Sequence, residues 1–261
     1  MKKEIVIYGA GWLGLPLALK FGLNQYEVWI SPKLKGLELP PNVFDIDFRF
    51  AANMEYFPKF MFEKQIQVWA IPPRLSKIDL EEYLGFLKFW TNNIPKNNSI
   101  KIVFTSSSSI YQEGHGEVDE NGILSEQSSM FQAEKIIQES GLDYLIFRLG
   151  GLMGKDRYPA KYFSRKIIRE GNSRVNYIHQ QDVIDFIFEG VEKGLLGIYN
   201  LVAPVHPLKK ELALKDCKNR EIPPPKEILS KSNNKIINSQ KIMRALNKKF
   251  TYPDPLNFPI D

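Results

Sequence analysis

Six residues, Gly9-Ala10-Gly11-Trp12-Leu13-Gly14, constrain the fold of this chain more than any other feature. They follow a short apolar segment, Glu4-Ile5-Val6-Ile7-Tyr8, and open a helix-like stretch, Leu13–Leu23. In a strand–turn–helix unit the three glycines have separate tasks. Gly9 permits the tight turn, Gly11 lets the backbone approach a pyrophosphate, and Gly14 allows the helix to pack closely on the strand. The N–H groups and positive end of the helix then favour an anion. Pro16 falls in the first helical turn, where its missing donor costs little. The competing reading is a glycine turn without a ligand.

The rest of the chain repeats the same unit. Strand-like segments are Glu27–Ile30, Ile66–Ile71, Ile100–Phe104, Leu142–Leu149 and Gly197–Val202, all short and apolar as parallel strands covered on both faces should be. Helix-like segments, Asp79–Trp90, Ser129–Ser140 and Asp182–Lys193, lie between them. Alternating β and α units predict an α/β fold, a Rossmann-like doubly wound parallel sheet with helices on both faces. Residues 206–261 differ: they are rich in lysine, carry Pro223-Pro224-Pro225, and read as an irregular appendage with one helix at Ser239–Leu246.

Composition narrows the class. The 261 residues are 43% hydrophobic and 25% charged, an ordinary globular balance. The single Cys217 excludes an intramolecular disulfide framework and a cysteine-cluster zinc site. No apolar run reaches the ~18 residues of a membrane span, so a soluble, cytoplasmic protein without a membrane partner is expected. The net charge of +5 is localised: residues 206–261 hold 12 Lys+Arg against 6 Asp+Glu, whereas the remainder is near neutral. With no helix-turn-helix, RRM or zinc-finger pattern, nucleic acid is not the expected partner. The three histidines, His115, His179 and His206, lack metal-ligand spacing, and no metal is expected.

The cofactor choice turns on the end of the second strand. An NAD-binding unit usually places an acid there for the ribose hydroxyls. Here the chain reads Ile30-Ser31-Pro32-Lys33-Leu34-Lys35, and Ser31 with Lys33 or Lys35 suits a 2′-phosphate, favouring NADP over NAD. Solvated loop lysines are the plain alternative.

Further landmarks fall in the order of a known group. Phe44–Phe48 contains Asp47; Ala70-Ile71-Pro72-Pro73 follows the fourth strand; Val103–Tyr111 reads VFTSSSSIY; Phe147–Gly154 reads FRLGGLMG; Asn176–Val183 reads NYIHQQDV; and Ser239–Pro253 ends in a Tyr-Pro. Together these resemble the extended and atypical short-chain dehydrogenase/reductases, the superfamily of nucleotide-sugar epimerases and dehydratases. The resemblance implies that Asp47 contacts the adenine. It also implies that Ala70, Ile71, Pro72, Thr105, Ser106, Leu149 and Gly150 line the cofactor with Gly9, Gly11, Trp12, Leu13 and Gly14. Ser107 takes the place of the catalytic serine. A small lid on the substrate side, residues 156–176 and 206–261, would stand against a dinucleotide-binding domain of residues 1–155 and 177–205. Members of the group often pair, so a homodimer is implied.

The catalytic Tyr-x-x-x-Lys of the superfamily is missing. Aligning Ala133-Glu134 with the family pattern puts Glu126 at the tyrosine position and Met130 at the lysine position; a shifted register pairs Phe131 with Lys135. The only literal match, Tyr162 to Lys166, follows the sixth strand and reads as surface helix. Tyr111, after the serine run, is the remaining hydroxyl that could act beside Ser107, with packing as the alternative. Two functions stay open. One is an NAD(P)-dependent reductase or epimerase on a small, anionic or nucleotide-linked substrate. The other is a non-catalytic dinucleotide-binding sensor or scaffold, because general acid–base help is worth ~10²–10⁴ in rate. His179 reads as structural, Asp182 as the N-cap of its helix, and the acids of Glu117–Glu120 as solvated or capping groups.

Overall fold

The computed structural model describes residues 3–31, 36–47, 58–73, 79–96, 100–114, 116–232 and 234–259. The elements run β1 (Glu4–Tyr8), α1 (Gly14–Leu23), β2 (Glu27–Ser31), β3 (Val43–Asp45), β4 (Ile66–Trp69), α2 (Leu80–Asn93), β5 (Lys101–Ser107), β6 (Gly116–Val118), α3 (Ser129–Gln138) and β7 (Asp143–Leu149). They continue with β8 (Gly151–Met153), α4 (Pro159–Phe163), β9 (Ile167–Ile168), β10 (Tyr177–His179), α5 (Gln180–Glu192), β11 (Gly197–Leu201), α6 (Lys209–Asn219), β12 (Glu227–Ile228), β13 (Lys235–Ile237) and α7 (Gln240–Leu246).

Seven strands form the parallel central sheet, in the order β11-β7-β5-β4-β1-β2-β3. The chain leaves β1 toward β2 on one side and returns to β4 on the other, so the order reverses between β1 and β4. In doubly wound sheets ligands bind outside the carboxyl ends of the strands at such a reversal. The register is simple: Ile5 lies opposite Val28 on one side and Ile66 on the other.

Two compact units divide the chain. The first comprises residues 1–110, 125–147 and 187–198; the second comprises 111–124, 148–186 and 199–261. The chain passes from one to the other inside β7, α5 and β11. These boundaries differ from the division expected from sequence at residues 155, 176 and 205, because compactness need not follow the ends of strands and helices.

In the first unit, Ile5, Val6, Ile7, Val28, Ile30, Val68, Ile102, Val103 and Phe104 are buried or nearly so, which explains their continuous apolar runs. Helix α1 buries Leu17, Ala18 and Phe21 on one face, and α2 buries Tyr83, Phe86, Leu87 and Trp90. Asp79 caps α2 by accepting the N–H of Glu82 at 2.7 Å. Behind β1 and β4 lies an aromatic cluster. The Tyr8 ring stands edge-on to Trp90 at 5.6 Å, and Trp69 lies 5.0 Å from Trp90. The buried Tyr8 hydroxyl donates to Gln67 Oε1 at 2.9 Å, which satisfies the one polar atom the ring brings inside.

The second unit is more ordered than its composition suggests. Residues expected to be irregular contain α6, which buries Leu212, Ala213 and Cys217 beneath an otherwise lysine-rich surface. Three short two-stranded ladders, β8–β10, β9–β12 and β6–β13, join segments far apart in sequence. Asp182 corrects another expectation. Helix α5 begins at Gln180, so Asp182 lies inside the first turn. Its fully buried carboxylate accepts the N–H groups of Thr251 at 2.7 Å and Tyr252 at 2.9 Å, pinning the C-terminal segment. No helix is long and apolar enough to cross a membrane among the described residues.

Candidate functional site

The carboxyl ends of β1, β2, β3, β4 and β5 in the first unit carry most of the expected cofactor residues, with Leu149 and Gly150 in the second unit. The glycine loop leaves β1 and turns back under the end of β2: the N–H groups of Gly9 and Ala10 both donate to the carbonyl of Ser31, at 2.8 and 2.9 Å. Ser31 itself is buried. Ala70 follows β4 and donates its N–H to the Tyr8 carbonyl at 2.8 Å, so the two loops on either side of the sheet reversal lie together.

The three glycines of the loop separate cleanly. Gly9 has φ +108°, and a Cβ there would lie 2.8 Å from the Ala70 carbonyl oxygen. At Gly14 a Cβ would lie 1.9 Å from the carbonyl oxygen of Gly9. Both are required by the protein's own backbone. Gly11 is not: its φ is not positive, it is exposed, and a Cβ would meet nothing within 4 Å among the described residues. Beside it, α1 starts at Gly14, with Leu13 at the cap position giving no side-chain cap, and has no acid in its first turn. The terminal donors of a helix so built favour an anion over water alone. Leu13 is buried and Trp12 half-buried at this turn.

Ile71 is half-buried and its carbonyl accepts from Trp69 Nε1 at 3.1 Å and from the Tyr83 hydroxyl at 3.2 Å, which fixes the loop entering exposed Pro72. Asp47 is exposed, two residues beyond β3. Lys33, like Lys35, Phe48 and His115, lies outside the described residues.

Strand β5 presents the serine run. Thr105 Oγ1 donates to the Trp69 carbonyl at 3.1 Å, crossing from β5 to β4. Ser106 departs from its expected place in the cofactor cleft. It is buried, and its hydroxyl donates to the buried Glu134 Oε1 at 2.6 Å, locking α3 onto β5. Ser107 is half-buried and its Oγ accepts the N–H of Ser109 at 3.2 Å, leaving its own proton to donate. Met130 on α3, where the resemblance would place a lysine, is buried, and Glu126, where it would place a tyrosine, is an exposed carboxylate just before the helix. The Tyr162–Lys166 pattern is broken as well: α4 stops at Phe163, and Arg165 has φ +57°.

In the second unit Tyr111 is the hub of a buried network. Its ring is 2% exposed. Its hydroxyl donates to Asn200 Oδ1 at 2.6 Å and accepts from Arg148 Nη1 at 2.8 Å. Arg148, also 2% exposed, gives a further hydrogen bond to the Glu120 carbonyl at 3.1 Å. Glu120 in turn accepts the N–H of Asn200 at 2.8 Å, so it is structural rather than solvated. Burial raises the Tyr111 hydroxyl above its ordinary pKa, more than the Arg148 and Asn200 hydrogen bonds lower it. A tyrosine acting as acid or base needs the opposite shift. The two internal hydrogen bonds of Tyr111 suit the packing alternative to a catalytic hydroxyl.

Leu149 is buried, and Gly150 donates its N–H to the Leu201 carbonyl at 3.0 Å. A Cβ on Gly150 would lie 2.7 Å from the Asn176 carbonyl, so packing within the unit is enough to demand glycine there. His179 is buried, its ring 4.1 Å from Tyr252 and 5.4 Å from Phe258. No group of three potential metal ligands occurs among the described residues.

Lys235 escaped the sequence reading, and Arg148, Asn200 and Glu134 entered it only as members of longer segments, without the roles the structure gives them. A charge inside the apolar run Leu145–Leu149 was the available signal, since an arginine there needs buried partners.

No family model matches the chain. It is 27% identical over 279 aligned positions to Protein YeeZ of Escherichia coli (strain K12), covering 99% of this chain and 100% of that protein. UDP-glucuronic acid 4-epimerase from Bacillus cereus, solved in complex with NAD, is similar with a TM-score of 0.78 at 17% identity, over 97% of this chain and 96% of that one. WbmH of Bordetella bronchiseptica, solved with NAD+, is similar with a TM-score of 0.78 at 15% identity, over 96% and 94%. The chain has the fold of the extended short-chain dehydrogenase/reductases, the NAD-dependent epimerase/dehydratase type.

Proposed function

We propose that this chain binds a nicotinamide dinucleotide, NADP or NAD, on the glycine loop of its first unit and acts as a reductase or epimerase. Its substrate would be a small or nucleotide-linked molecule carrying negative charge. The observation that carries the reading is Gly11. Gly9 and Gly14 are explained by the protein's own backbone, but Gly11 is required by neither φ nor packing among the described residues. A backbone with no described residue within 4 Å of its would-be Cβ, beside an uncapped helix start, suits the close approach of a pyrophosphate. Neighbours of the same fold were solved with NAD and, in two cases, with UDP-glucuronic acid as well.

When bound, the dinucleotide supplies hydride acceptance or donation at its nicotinamide. The chain's own residues would do the rest. Loop and helix donors hold the phosphates, Asp47 meets the adenine, and Ser31 with Lys33 meets the ribose or its 2′-phosphate. Ala70, Ile71, Pro72 and Thr105 line the cofactor, while the Ser107 hydroxyl, and Tyr111 if it takes part, hold the reacting oxygen of the substrate by hydrogen bonds.

Titration with NADPH and NADH tests the first step. A ligand at 100 times its dissociation constant adds ~2.7 kcal/mol of stability. Absence of a thermal shift with either dinucleotide ends the proposal. Lys33→Glu should shift preference toward NADH, and an unchanged preference removes Lys33 from the site. Ser107→Ala should reduce turnover at least tenfold; unchanged turnover removes Ser107 from the chemistry.

A second reading, a non-catalytic dinucleotide sensor, is favoured by Met130 at the lysine position and by the committed hydroxyl of Tyr111. Tight binding without turnover across carbonyl and nucleotide-sugar substrates selects it.

A further inference from the structure

One dipeptide of the second unit carries chemistry that the proposed function leaves unused. Asn121-Gly122 is the sole Asn-Gly pair of the chain. It closes a turn just after β6. Asp119 accepts the N–H of Asn121 on its Oδ1 at 2.9 Å and the N–H of Gly122 on its carbonyl at 3.1 Å. Turns of this kind suit Asp, Asn and Gly because short polar side chains bond the local backbone. The Asn121 side chain takes no part in it: the residue is exposed, and its amide makes no hydrogen bond among the described residues. An asparagine followed by glycine is the pair that most readily closes a five-membered imide, since glycine sets no side chain beside the attacking nitrogen.

Packing holds one side of this pair and charge surrounds the other. A Cβ on Gly122 would lie 2.3 Å from Val118 Cγ1 and 3.2 Å from Tyr111 Cδ1, so the fold itself demands glycine there. Glu120, one residue before Asn121, is tied twice into the Tyr111 network. Its carbonyl accepts from Arg148 at 3.1 Å, and its carboxylate accepts the N–H of Asn200 at 2.8 Å. Asn121 also lines a cavity of about 390 Å³, shared with Asp119, Glu120, Lys241 and Arg244. Lys241 lies over the Tyr199 ring at 4.7 Å, and Arg244 donates to Gln240 Oε1 at 2.7 Å.

We infer that Asn121 is a site of self-modification, converted by its own backbone to aspartate and isoaspartate. The Gly122 nitrogen gives its proton to solvent and attacks Asn121 Cγ. The Cγ–Nδ2 bond breaks and ammonia leaves. Water then opens the imide at either of its two carbonyls. One water enters, one ammonia departs, and nothing is oxidised or reduced. The Gly122 bond to Asp119 must open before each event, so the product accumulates slowly with the age of the molecule. Both products set a new carboxylate in a cavity that already holds two cations, where its charge is favoured. They differ in the backbone. Aspartate keeps the original path, whereas isoaspartate inserts a methylene between Glu120 and Gly122. Gly122 is packed too closely to yield, so the displacement falls on Glu120 and loosens its contacts with Arg148 and Asn200. The reaction needs neither dinucleotide nor substrate.

Peptide mass spectrometry of the folded chain, aged in mildly alkaline buffer, tests the proposal. Carboxyl methylation by an isoaspartyl methyltransferase tells the two products apart. Asn121 should exchange its NH₂ for OH at least tenfold faster than any other asparagine of the chain. Asn121→Gln should abolish the exchange at that position, because the longer side chain closes the ring poorly. The isoaspartate form, isolated by ion exchange, should melt below the fresh protein, while Asn121→Asp should melt with it. The proposal is overturned if Asn121 stays intact in the folded chain while the same chain unfolded in urea converts it, since the fold would then protect it. It is equally overturned if another asparagine converts as fast. An isoaspartate form that melts with the fresh protein overturns the link to the Glu120 contacts.

Discussion

The glycine loop of the first unit and the Tyr111 network of the second handle charge in opposite ways. The loop offers backbone N–H groups and a helix end, with no charged side chain in α1's first turn. The network buries a full arginine charge and a lysine ammonium, gathered from β7 and β13 onto the turn after β5. Backbone donors cost no side-chain entropy and tolerate having no ligand. Buried cations must be satisfied at all times. The first arrangement can be built for a ligand without endangering the fold; the second makes the fold depend on its polar contacts.

That contrast predicts where the largest losses lie. Arg148→Met should cost about 2–4 kcal/mol, because the Tyr111 hydroxyl oxygen and the Glu120 carbonyl both lose a buried donor. Denaturant unfolding would read it directly. A loss below about 1 kcal/mol breaks the comparison, since it would mean the second unit does not depend on its buried charge.

Gly14→Ala should come next, at about 1–3 kcal/mol, because its Cβ meets a backbone carbonyl at 1.9 Å that cannot swing away. Gly11→Ala is the counterpart. Its stability should stay within about 0.5 kcal/mol of the original, with dinucleotide affinity at least tenfold weaker. Equal destabilisation by the two substitutions would show that Gly11 serves the fold after all.

Tyr111→Phe should cost about 1–2 kcal/mol, the loss of a hydroxyl between two buried partners. Turnover per folded molecule should be unchanged if Tyr111 is only an anchor. A folded variant with turnover lost would restore it to the chemistry.

The two regions also differ in how well the sequence announced them. Glycine spacing and apolar runs are local patterns, so β1, α1 and the central strands could be placed within about three residues of where they lie. The Tyr111 network is assembled from residues 37, 89 and 124 positions away, Arg148, Asn200 and Lys235. Nothing in the spacing of those residues marks them. Helix α6 was missed for another reason: its exposed positions are so lysine-rich that three buried residues, Leu212, Ala213 and Cys217, leave little periodic signal. Ser106 looked like a cofactor residue because it belongs to a serine run, and only the 2.6 Å contact with Glu134 shows it facing the core.

The smallest expected effect concerns His206, whose ring Nδ1 lies 3.1 Å from the Val175 carbonyl in the second unit. Burial lowers its pKa below 6.5, Arg174 adds to the lowering, and the Val175 carbonyl and Glu117 oppose it. The unfolded chain therefore binds more protons than the folded one as pH falls through 6.5. Stability tied to this group is present above pH 6.5 and declines as acid drives the ring to charge. His206→Gln should flatten that part of the stability–pH curve while leaving the melting temperature at pH 8 nearly unchanged. The same substitution sharpens the contrast between the regions, because the glycine loop has no titrating side chain of its own. Dinucleotide affinity between pH 8 and pH 6 should then be the same in both proteins wherever both remain folded. A parallel drop of affinity and stability that His206→Gln abolishes would mean that the two regions are coupled through this ring.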